Sequence, residues 1–229
     1  MVNISKKLGR SLSQHIMVAV DTLVFTVIRG ALHVLLIKIA TDSYEGKWAA
    51  PGGLVGDRES LDAAASRILS EKAGVDGIYL EQLATFGGVD RDVRGRSVSV
   101  AYVALVSNEE YRPKTTEYYA AIGWKSVDRL PALAFDHARM IKLARERLIG
   151  KIGYSNIGYA LLPKEFTLSE LQEVYEAILG RPLDKRNFRK KIQDVKLVME
   201  TGKKRQAGAS RPAKLYSFSN RTLKMVDVL

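Results

Sequence analysis

Two apolar stretches, residues 16–28 and 32–39, lie close together near the N-terminus, and Arg29-Gly30 separates them. Both are rich in Val, Ile, Leu and Phe, which are favoured in strands, and both are nearly continuous, as in strands covered on both faces. Asp21 is a charged residue inside the first stretch. The pattern predicts a largely buried β-hairpin.

Shorter segments with strand composition follow at residues 48–50, 78–86, 98–106 and 121–126, and helical spacing returns from about His137 to Ile149. Such a mixture of strands and helices is typical of a sheet packed between helices. The sequence therefore predicts an α/β domain with a mixed sheet, and we place its end near residue 150.

One helix of this domain has clear boundaries. It is predicted to begin between Asp57 and Ser60, where either side chain can cap free backbone N–H groups, and to end at Gly74. Pro51-Gly52-Gly53 precedes it and is predicted to turn the chain into the helix. Its inward residues are Leu61, Ala64, Ala65, Ile68 and Leu69.

The last part of the chain has the pattern of a winged helix-turn-helix. Thr167 and Glu170 form a capping box that begins one helix, and Gly180 ends it. Asp184 can cap a second helix, which runs through Asp194. Short strands are predicted at Lys196–Thr201 and Lys214–Phe218, joined by a basic, glycine-containing loop over residues 202–212.

We therefore divide the chain into residues 1–150 and residues 151–229. Gly150, Gly153, Ser155 and Gly158 indicate a loose connection between the two parts. Relative movement of the domains is expected at this connection.

The formal charge of the 229-residue chain is +11, which favours polyanionic partners. Residues 1–150 hold 20 Lys/Arg against 17 Asp/Glu, while residues 151–229 hold 16 against 8. The basic charge is therefore concentrated in the predicted winged helix.

The sequence has no Cys and three scattered His, which excludes disulfides and thiolate metal sites. Its N-terminal apolar run is interrupted by His15 and Asp21, so neither a signal peptide nor a membrane span is predicted. We expect a cytoplasmic protein.

Residues 53–75 read GLVGDRESLDAAASRILSEKAGV. The spacing resembles the Nudix box, G-x5-E-x7-R-E-U-x-E-E-x-G-U, where U is a bulky aliphatic residue. The resemblance implies an α/β/α sandwich, and in the family the carboxylates on one helical face bind Mg²⁺. Only Glu71 remains of the three core carboxylates, since Ile68 and Lys72 occupy the other two positions.

We therefore expect no catalytic residue in this box, no metal and no required cofactor. Glu59 and Arg67 can still pair with each other as a structural contact. A catalytic carboxylate on another loop, at Glu109 or Glu117, stays open as an alternative.

A second stretch, residues 86–105, contains RDVRGRSVSVAY and resembles the R-D-P-R-G-R-x-x-S-V-A-Y pattern of Nudix proteins that handle ADP-ribose, with Val93 in place of Pro. The alternative is a solvated, charged hairpin. Tyr119 and Trp124 can offer a stacking face for adenine or can belong to the core. The candidate ligand-binding residues are Arg67, Glu71, Arg91, Arg94, Arg96, Tyr102 and Trp124.

In the predicted winged helix, basic and amide side chains lie on the open face of the second helix, as recognition of a major groove requires. The loop residues are expected to contact phosphates. The alternative is a basic surface that serves solubility. The candidate DNA-binding residues are Arg186, Asn187, Arg189, Lys190, Gln193, Lys203, Lys204, Arg205 and Arg211.

Over nearly its whole length the chain resembles the Nudix-related transcriptional regulators of bacteria, notably those that control NAD metabolism. The resemblance implies a homodimer on a palindromic operator, acting as a repressor that is released when ADP-ribose or a related nucleotide fills the Nudix pocket. Other members respond to pentose sugars. Two further alternatives are an active Nudix hydrolase of ADP-ribose or a nucleotide sugar with a basic accessory domain, and an RNA-binding or RNA-processing Nudix protein.

Overall fold

A seven-stranded mixed sheet forms the centre of the N-terminal part. The computed structural model describes residues 15–41, 43–74, 78–109, 111, 119–206 and 212–228. The strands are β1 (Met17–Ile28), β2 (Ala31–Ile39), β3 (Trp48–Ala49), β4 (Gly52–Leu54), β5 (Tyr79–Phe86), β6 (Ser97–Leu105) and β7 (Tyr119–Ser126). Five have the order β3-β2-β1-β6-β5, while β4 also pairs with β1 and β7 with β2. The β1–β6 pair is parallel and the other pairs are antiparallel.

The predicted hairpin is confirmed. Arg29 and Gly30 both have positive φ, 50° and 71°, the backbone of a two-residue turn whose twist matches paired strands. Asp21 lies near the N-terminal end of β1 and is buried.

The alternating side chains of β1 contact two different helical layers. Val20 packs with helix α1 (Leu61–Ile68), which continues as a π-helical turn over Leu69–Ala73. Leu23 packs on the opposite face with helix α2 (His137–Tyr154). The N-terminal part is therefore the predicted α/β/α sandwich.

Both ends of α1 and its extension follow from local chemistry. The Ser60 side chain accepts a hydrogen bond from the Ala63 N–H at 3.2 Å, and Gly74 ends the helical run with a φ of 68°. The prediction that Gly52-Gly53 only turns the chain is wrong, because these residues form β4 and pair with β1.

The C-terminal part has the helices and paired strands of a winged helix. Its elements are a 3-10 turn (Ile157–Ala160), α3 (Leu168–Leu179), α4 (Lys185–Asp194), β8 (Val198–Arg205) and β9 (Ala213–Phe218). The capping box is present at the start of α3: Glu170 N–H donates to Thr167 Oγ1 at 3.2 Å, and Thr167 N–H donates to Glu170 Oε2 at 2.6 Å. Asp184 caps α4 through the Asn187 N–H at 2.8 Å.

The first strand of the wing is longer than predicted. Gly202, Lys203, Lys204 and Arg205 belong to β8 and not to the loop that follows it. Gly202 has a φ of 78°, and the β8–β9 register shifts between Glu200 and Lys204. This irregularity lets a glycine-containing segment stay in the sheet, which the sequence pattern did not indicate.

The prediction of a loose connection is wrong. Gly150 and Gly153 lie within α2, so the predicted boundary after residue 150 falls inside that helix. Asn156 is buried, and its side-chain N–H groups donate to the carbonyls of Asn220 at 3.0 Å and Thr222 at 2.9 Å. The C-terminal segment therefore holds the connection in place.

The two parts share one hydrophobic core. Leu23 and Phe25 of the sheet belong to the same buried cluster as Phe166, Tyr175 and Phe188 of the winged helix. No helix in the described part of the chain is long and apolar enough to cross a membrane.

Gly52→Ala should destabilise the fold, because a methyl group there would lie 2.0 Å from Asp21 Oδ1. Asp21 is buried, and moving it would break its hydrogen bond with Ser99. We expect a loss of about 1–3 kcal/mol in the free energy of unfolding, the usual range for overpacking. Urea denaturation measures it.

The control is Gly123→Ala in β7, where nothing lies within 4 Å of the added methyl group. Equal urea midpoints for the two variants would contradict the assigned role of Gly52.

Candidate functional site

A cavity of about 470 Å³ lies against one end of the central sheet. Its wall is formed by β1, β2, β3, β4 and the start of β7, by the π-helical turn after α1, by the segment that precedes β6 and by the start of α2. The ionisable residues of the wall are Asp21, Lys72, Arg91, Asp92, Arg94 and His137, and its large aromatic residues are Tyr119 and Phe135.

Asp21 is a buried charge in this wall. Its Oδ2 accepts a hydrogen bond from Ser99 Oγ at 2.6 Å and lies 3.4 Å from Arg91 Nη2, while Oδ1 lies 3.4 Å from His137 Nε2. Burial raises the pKa of a carboxyl group, but here His137, Ser99 and Arg91 outweigh it, so the pKa of Asp21 lies below its ordinary value. Asp21 is therefore a carboxylate within the protein.

Arg91 connects this carboxylate to α2. Its Nη2 lies 3.0 Å from Asp136 Oδ1, next to the first residue of α2, and its Nη1 donates to Ser97 Oγ at 3.0 Å. The Arg91 side chain is only 4% exposed. The guanidinium group is thus fixed at the base of the cavity between β1, β6 and α2.

His137 presents one nitrogen to the cavity. The buried Ala50 N–H donates to His137 Nδ1 at 3.0 Å, so Nδ1 carries no proton and the neutral ring carries it on Nε2. Within the described residues, Nε2 has no partner of hydrogen-bond geometry. The site therefore has a buried N–H donor beside Asp21.

Arg94 and Phe135 form the rim. Arg94 Nε donates to Asp92 Oδ1 and Nη2 donates to Asp92 Oδ2, each at 3.0 Å. Burial raises the pKa of Asp92, but this pairing outweighs burial and holds that pKa below its ordinary value. The Arg94 guanidinium carbon lies 5.1 Å from the centre of the Phe135 ring, which packs 4.3 Å from Tyr44. The rim thus combines a cation with an aromatic face.

Lys72 belongs to the π-helical turn that follows α1, and its side chain lines the cavity. Its Nζ donates to the Gly52 carbonyl and lies 5.9 Å from the centre of the Tyr119 ring. Burial lowers the pKa of Lys72, and the charges of Asp21 and Glu71 oppose this only in part. A lysine thus occupies one of the two positions at which the box has lost a carboxylate.

The residues of the box do not fit a magnesium ion. Ile68 is fully buried and has no oxygen to offer. Glu71 is not part of the cavity wall: its side chain is 56% exposed and accepts a hydrogen bond from Arg67. Ile68 and Lys72, at the other two positions, both lie beside Gly53. Magnesium needs several oxygens in a regular arrangement, which this wall does not supply.

Glu59 and Arg67 form a structural clamp. Arg67 Nε donates to Glu59 Oε1 at 2.7 Å and Nη2 donates to Oε2 at 2.8 Å, while the Gly56 N–H also donates to Oε2 at 3.0 Å. The hydrogen bonds from Arg67 and Gly56 lower the pKa of Glu59 to about 2. Arg67 further donates to the Leu54 carbonyl at 3.1 Å and so ties β4 to α1.

Of the seven candidate ligand-binding residues, only Arg91 and Arg94 line the cavity. Arg67 is bound by Glu59, and Glu71 accepts a hydrogen bond from Arg67 outside the cavity wall. Arg96 donates to the carbonyls of Gly87 and Gly88 at 3.0 and 3.1 Å. Its side chain therefore binds the connection between β5 and β6 and not the cavity.

The two aromatic candidates also lie elsewhere. Tyr102 is buried under α1, and its hydroxyl donates to Asp62 at 2.5 Å. Trp124 packs edge-on against Tyr111 at 5.8 Å. Tyr119, the other aromatic residue considered for stacking, does line the cavity. Glu117 lies outside the described residues.

The sequence-based candidate set omitted Asp21, Lys72 and His137. A charge inside a continuous apolar strand was the available signal for Asp21, and a lysine at a carboxylate position was the signal for Lys72. His137 gave no such signal. Only the tertiary structure brings the start of α2 next to Asp21 of β1, which lies more than a hundred residues earlier in the chain.

The open face of α4 is the second candidate site. Phe188 and Ile192 are buried on the opposite side of the helix, and Asn187 is exposed. Arg189 Nη2 donates to Ser169 Oγ at 3.2 Å, which steadies this arginine. The residues that line the open groove are Asp184, Lys185, Arg186, Arg189, Lys190 and Gln193.

The basic residues of β8 differ in their contacts. Lys203 pairs with Glu165 at 2.8 Å, and Arg205 pairs with Glu170 at 2.5 Å and donates to the Glu165 carbonyl at 3.1 Å. Lys204 is exposed. Two of these cations are therefore tied to the region where α3 begins. Arg211 lies outside the described residues.

Two family models match the chain. Residues 17–144 match the NUDIX domain, and residues 158–218 match the NrtR DNA-binding winged helix domain. The first match covers the sheet and the cavity. The second covers α3, α4 and the two strands of the wing.

Known proteins share this arrangement. The chain is 39% identical over 207 residues to an ADPR responsive transcriptional repressor NtrR of Acinetobacter baylyi, covering 89% of this chain and 82% of the relative. It matches Shewanella oneidensis NrtR in complex with a 27mer DNA with a TM-score of 0.77 and 38% identity, over 88% of this chain and 93% of that one.

The separate NUDIX domain of Shewanella oneidensis NrtR, in complex with ADP ribose, matches with a TM-score of 0.53 and 34% identity, over 65% of this chain and 99% of that one. Domain order, identity and coverage agree across these comparisons. The chain therefore belongs to the NrtR family, in which a NUDIX domain precedes an NrtR DNA-binding winged helix domain.

Proposed function

We propose that this protein is a transcriptional repressor whose affinity for operator DNA falls when ADP-ribose or a related nucleotide binds the cavity. Residues 1–150 sense the nucleotide and residues 151–229 bind DNA. The protein acts as a cytoplasmic homodimer in the control of NAD metabolism. The observation that carries the proposal is that α2 begins in the cavity wall and packs against α3 of the winged helix.

The chemistry of the cavity suits a nucleotide diphosphate. Its two carboxylates, Asp21 and Asp92, are paired with arginines, so Lys72, Arg91 and Arg94 leave a positive excess in the wall. Anionic phosphates bind such groups through charge-assisted hydrogen bonds. Tyr119 and Phe135 offer aromatic faces to a base or ribose. The related NUDIX domain in complex with ADP ribose supports this ligand class.

The chemistry of α4 suits a major groove. Arg186 and Arg189 can pair with guanine and Gln193 with adenine. We expect Lys203, Lys204 and Arg205 to contact phosphates. A relative in complex with a 27mer DNA supports duplex DNA as the partner. A two-fold dimer would place two such helices on half-sites about one helical turn, roughly 34 Å, apart.

Helix α2 supplies the physical link between the sites. Its 18 residues span about 27 Å at 1.5 Å per residue. Arg91 binds Asp136 next to its first residue, and the carbonyls of Gly153 and Tyr154 at its other end accept hydrogen bonds from Val228 and Val226. A ligand that engages Arg91 therefore acts where α2 begins. It releases DNA if it binds the DNA-free arrangement more tightly.

We infer that the protein is not a hydrolase. A Nudix reaction requires carboxylates that hold a metal, and the residues at positions 68 and 72 are a buried isoleucine and a lysine. Glu71 is engaged by Arg67 on the outer side of α1.

Saturating ADP-ribose should weaken binding to operator DNA from the protein's own genomic neighbourhood by about tenfold or more, a typical allosteric coupling. Fluorescence anisotropy with labelled duplex measures the change, with AMP and a free pentose as comparison ligands. Unchanged affinity would remove ADP-ribose as the effector, and release by the pentose alone would favour a sugar-responsive regulator. Equal affinity for RNA would contradict a DNA-binding regulator.

Arg189→Ala should weaken binding to the operator by about 1–3 kcal/mol and change binding to unrelated duplex much less, because it removes a contact with a base edge. Lys204→Ala should weaken both about equally and reduce the salt dependence, because it removes a phosphate contact. Affinities for both duplexes over a salt series test this. Equal effects of the two substitutions on both duplexes would show that the assignment is wrong.

With Mg²⁺ and ADP-ribose, the protein should release no AMP above the uncatalysed level. Chromatographic measurement of AMP tests this, with an active ADP-ribose pyrophosphatase run in parallel to show that the assay works. Turnover that disappears in Glu71→Gln would instead identify an active Nudix enzyme.

A further inference from the structure

A diphosphate that enters this cavity needs a cation where the Nudix box would otherwise place a metal. The remaining carboxylates of the box are not available for that purpose. Glu59 is bound by Arg67 through both oxygens, and Glu71 lies outside the wall in contact with the same arginine. A bound diphosphate must therefore be neutralised by side chains.

Lys72 is placed for this role by the backbone around it. Its Nζ donates to the Gly52 carbonyl and lies 3.6 Å from the position that a Cβ at Gly53 would occupy. Ile68 Cδ1 lies 3.5 Å from the same position, so the aliphatic and the ammonium groups both border the β4 backbone. Both distances are ordinary van der Waals separations, so the two side chains lie directly against β4 at Gly53.

The ammonium group also has unused binding capacity. A lysine carries three N–H donors, and the Gly52 carbonyl takes one of them. Among the described residues, no carboxylate lies within ion-pair distance of Lys72 Nζ, whereas Asp21 and Asp92 in the same wall are paired with Arg91 and Arg94. Two of its N–H donors are thus left for an anion.

We propose that the Lys72 ammonium is a built-in cation that holds the diphosphate of the ligand, so that the cavity binds a nucleoside diphosphate sugar without a divalent metal. The proposal rests on the function proposed above and adds how the ligand is held. A fixed ammonium neutralises phosphate oxygens but cannot coordinate and activate a water molecule. It therefore permits binding without hydrolysis.

Calorimetric titration of the full-length protein with ADP-ribose, once in EDTA and once with excess Mg²⁺, tests the proposal. The wild-type affinity should be the same in both buffers. Lys72→Gln should bind at least about tenfold more weakly in both, the loss expected for one hydrogen bond to a charged group. Lys72→Glu should lose binding in EDTA and recover part of it with Mg²⁺.

Lys142→Gln is the matched control, because Lys142 is exposed on α2 and does not line the cavity. It should bind ADP-ribose like the wild type. Lys72→Met, which keeps the aliphatic stem without the charge, provides a second variant if Lys72→Gln does not fold, as judged from thermal unfolding. Wild-type affinity in the neutral variants would overturn the proposal.

The outcomes separate this inference from the proposed function. If the wild type binds ADP-ribose only with Mg²⁺, the built-in cation is excluded and the effector assignment stands. If ADP-ribose does not bind, inorganic pyrophosphate is the second probe: binding in EDTA that depends on Lys72 supports the cation and leaves only the effector wrong. If neither compound binds in EDTA, the built-in cation is excluded.

Discussion

A buried carboxylate on the central strand is the constraint that organises this protein. Asp21 loses most of its contact with water, and a buried charge is tolerated only when it is paired and hydrogen-bonded. Ser99 and Arg91 supply that compensation from β6 and from the segment before it, and His137 adds its N–H from the start of α2. The same carboxylate leaves no space for a side chain at Gly52. The cavity thus lies beside a buried carboxylate whose charge is balanced by hydrogen bonds and an arginine.

The compensation of Asp21 also connects the two halves of the chain. Arg91 binds Asp136 as well, so the guanidinium group that neutralises the central strand also holds the beginning of α2. The far end of α2 is fixed by the C-terminal segment, which pairs with Ser155 and surrounds Asn156. One hydrophobic core is common to both halves, so packed elements connect them rather than a free linker.

The Nudix box separates into a scaffold and a chemical part. The scaffold consists of the Ser60 cap, the Glu59–Arg67 clamp and the αL glycine at position 74, and all three contacts are present. The chemical part is altered, because Ile68 is packed into the core and Lys72 reaches into the cavity. Since the scaffold depends on backbone hydrogen bonds and one ion pair, it does not require the metal-binding carboxylates. A pocket of the same shape can therefore serve as a sensor.

The sequence by itself determined the features that depend on neighbouring residues. The caps at Ser60 and Asp184, the capping box at Thr167 and the turn at Arg29-Gly30 follow from hydrogen bonds within a few residues. The faces of α3 and α4 follow from periodicity, and the family resemblance supplied the arrangement of layers. Only the tertiary structure decided which side chains share the cavity. Asp21 and His137 meet because β1 and α2 pack together. Tyr102 turns away because alternate residues of β6 face opposite sides of the sheet, whereas Trp124 lies further along the sheet, where it pairs with Leu35. The length of β8 and the buried connection at Asn156 were decided in the same way, by partners far along the chain that no local pattern identifies.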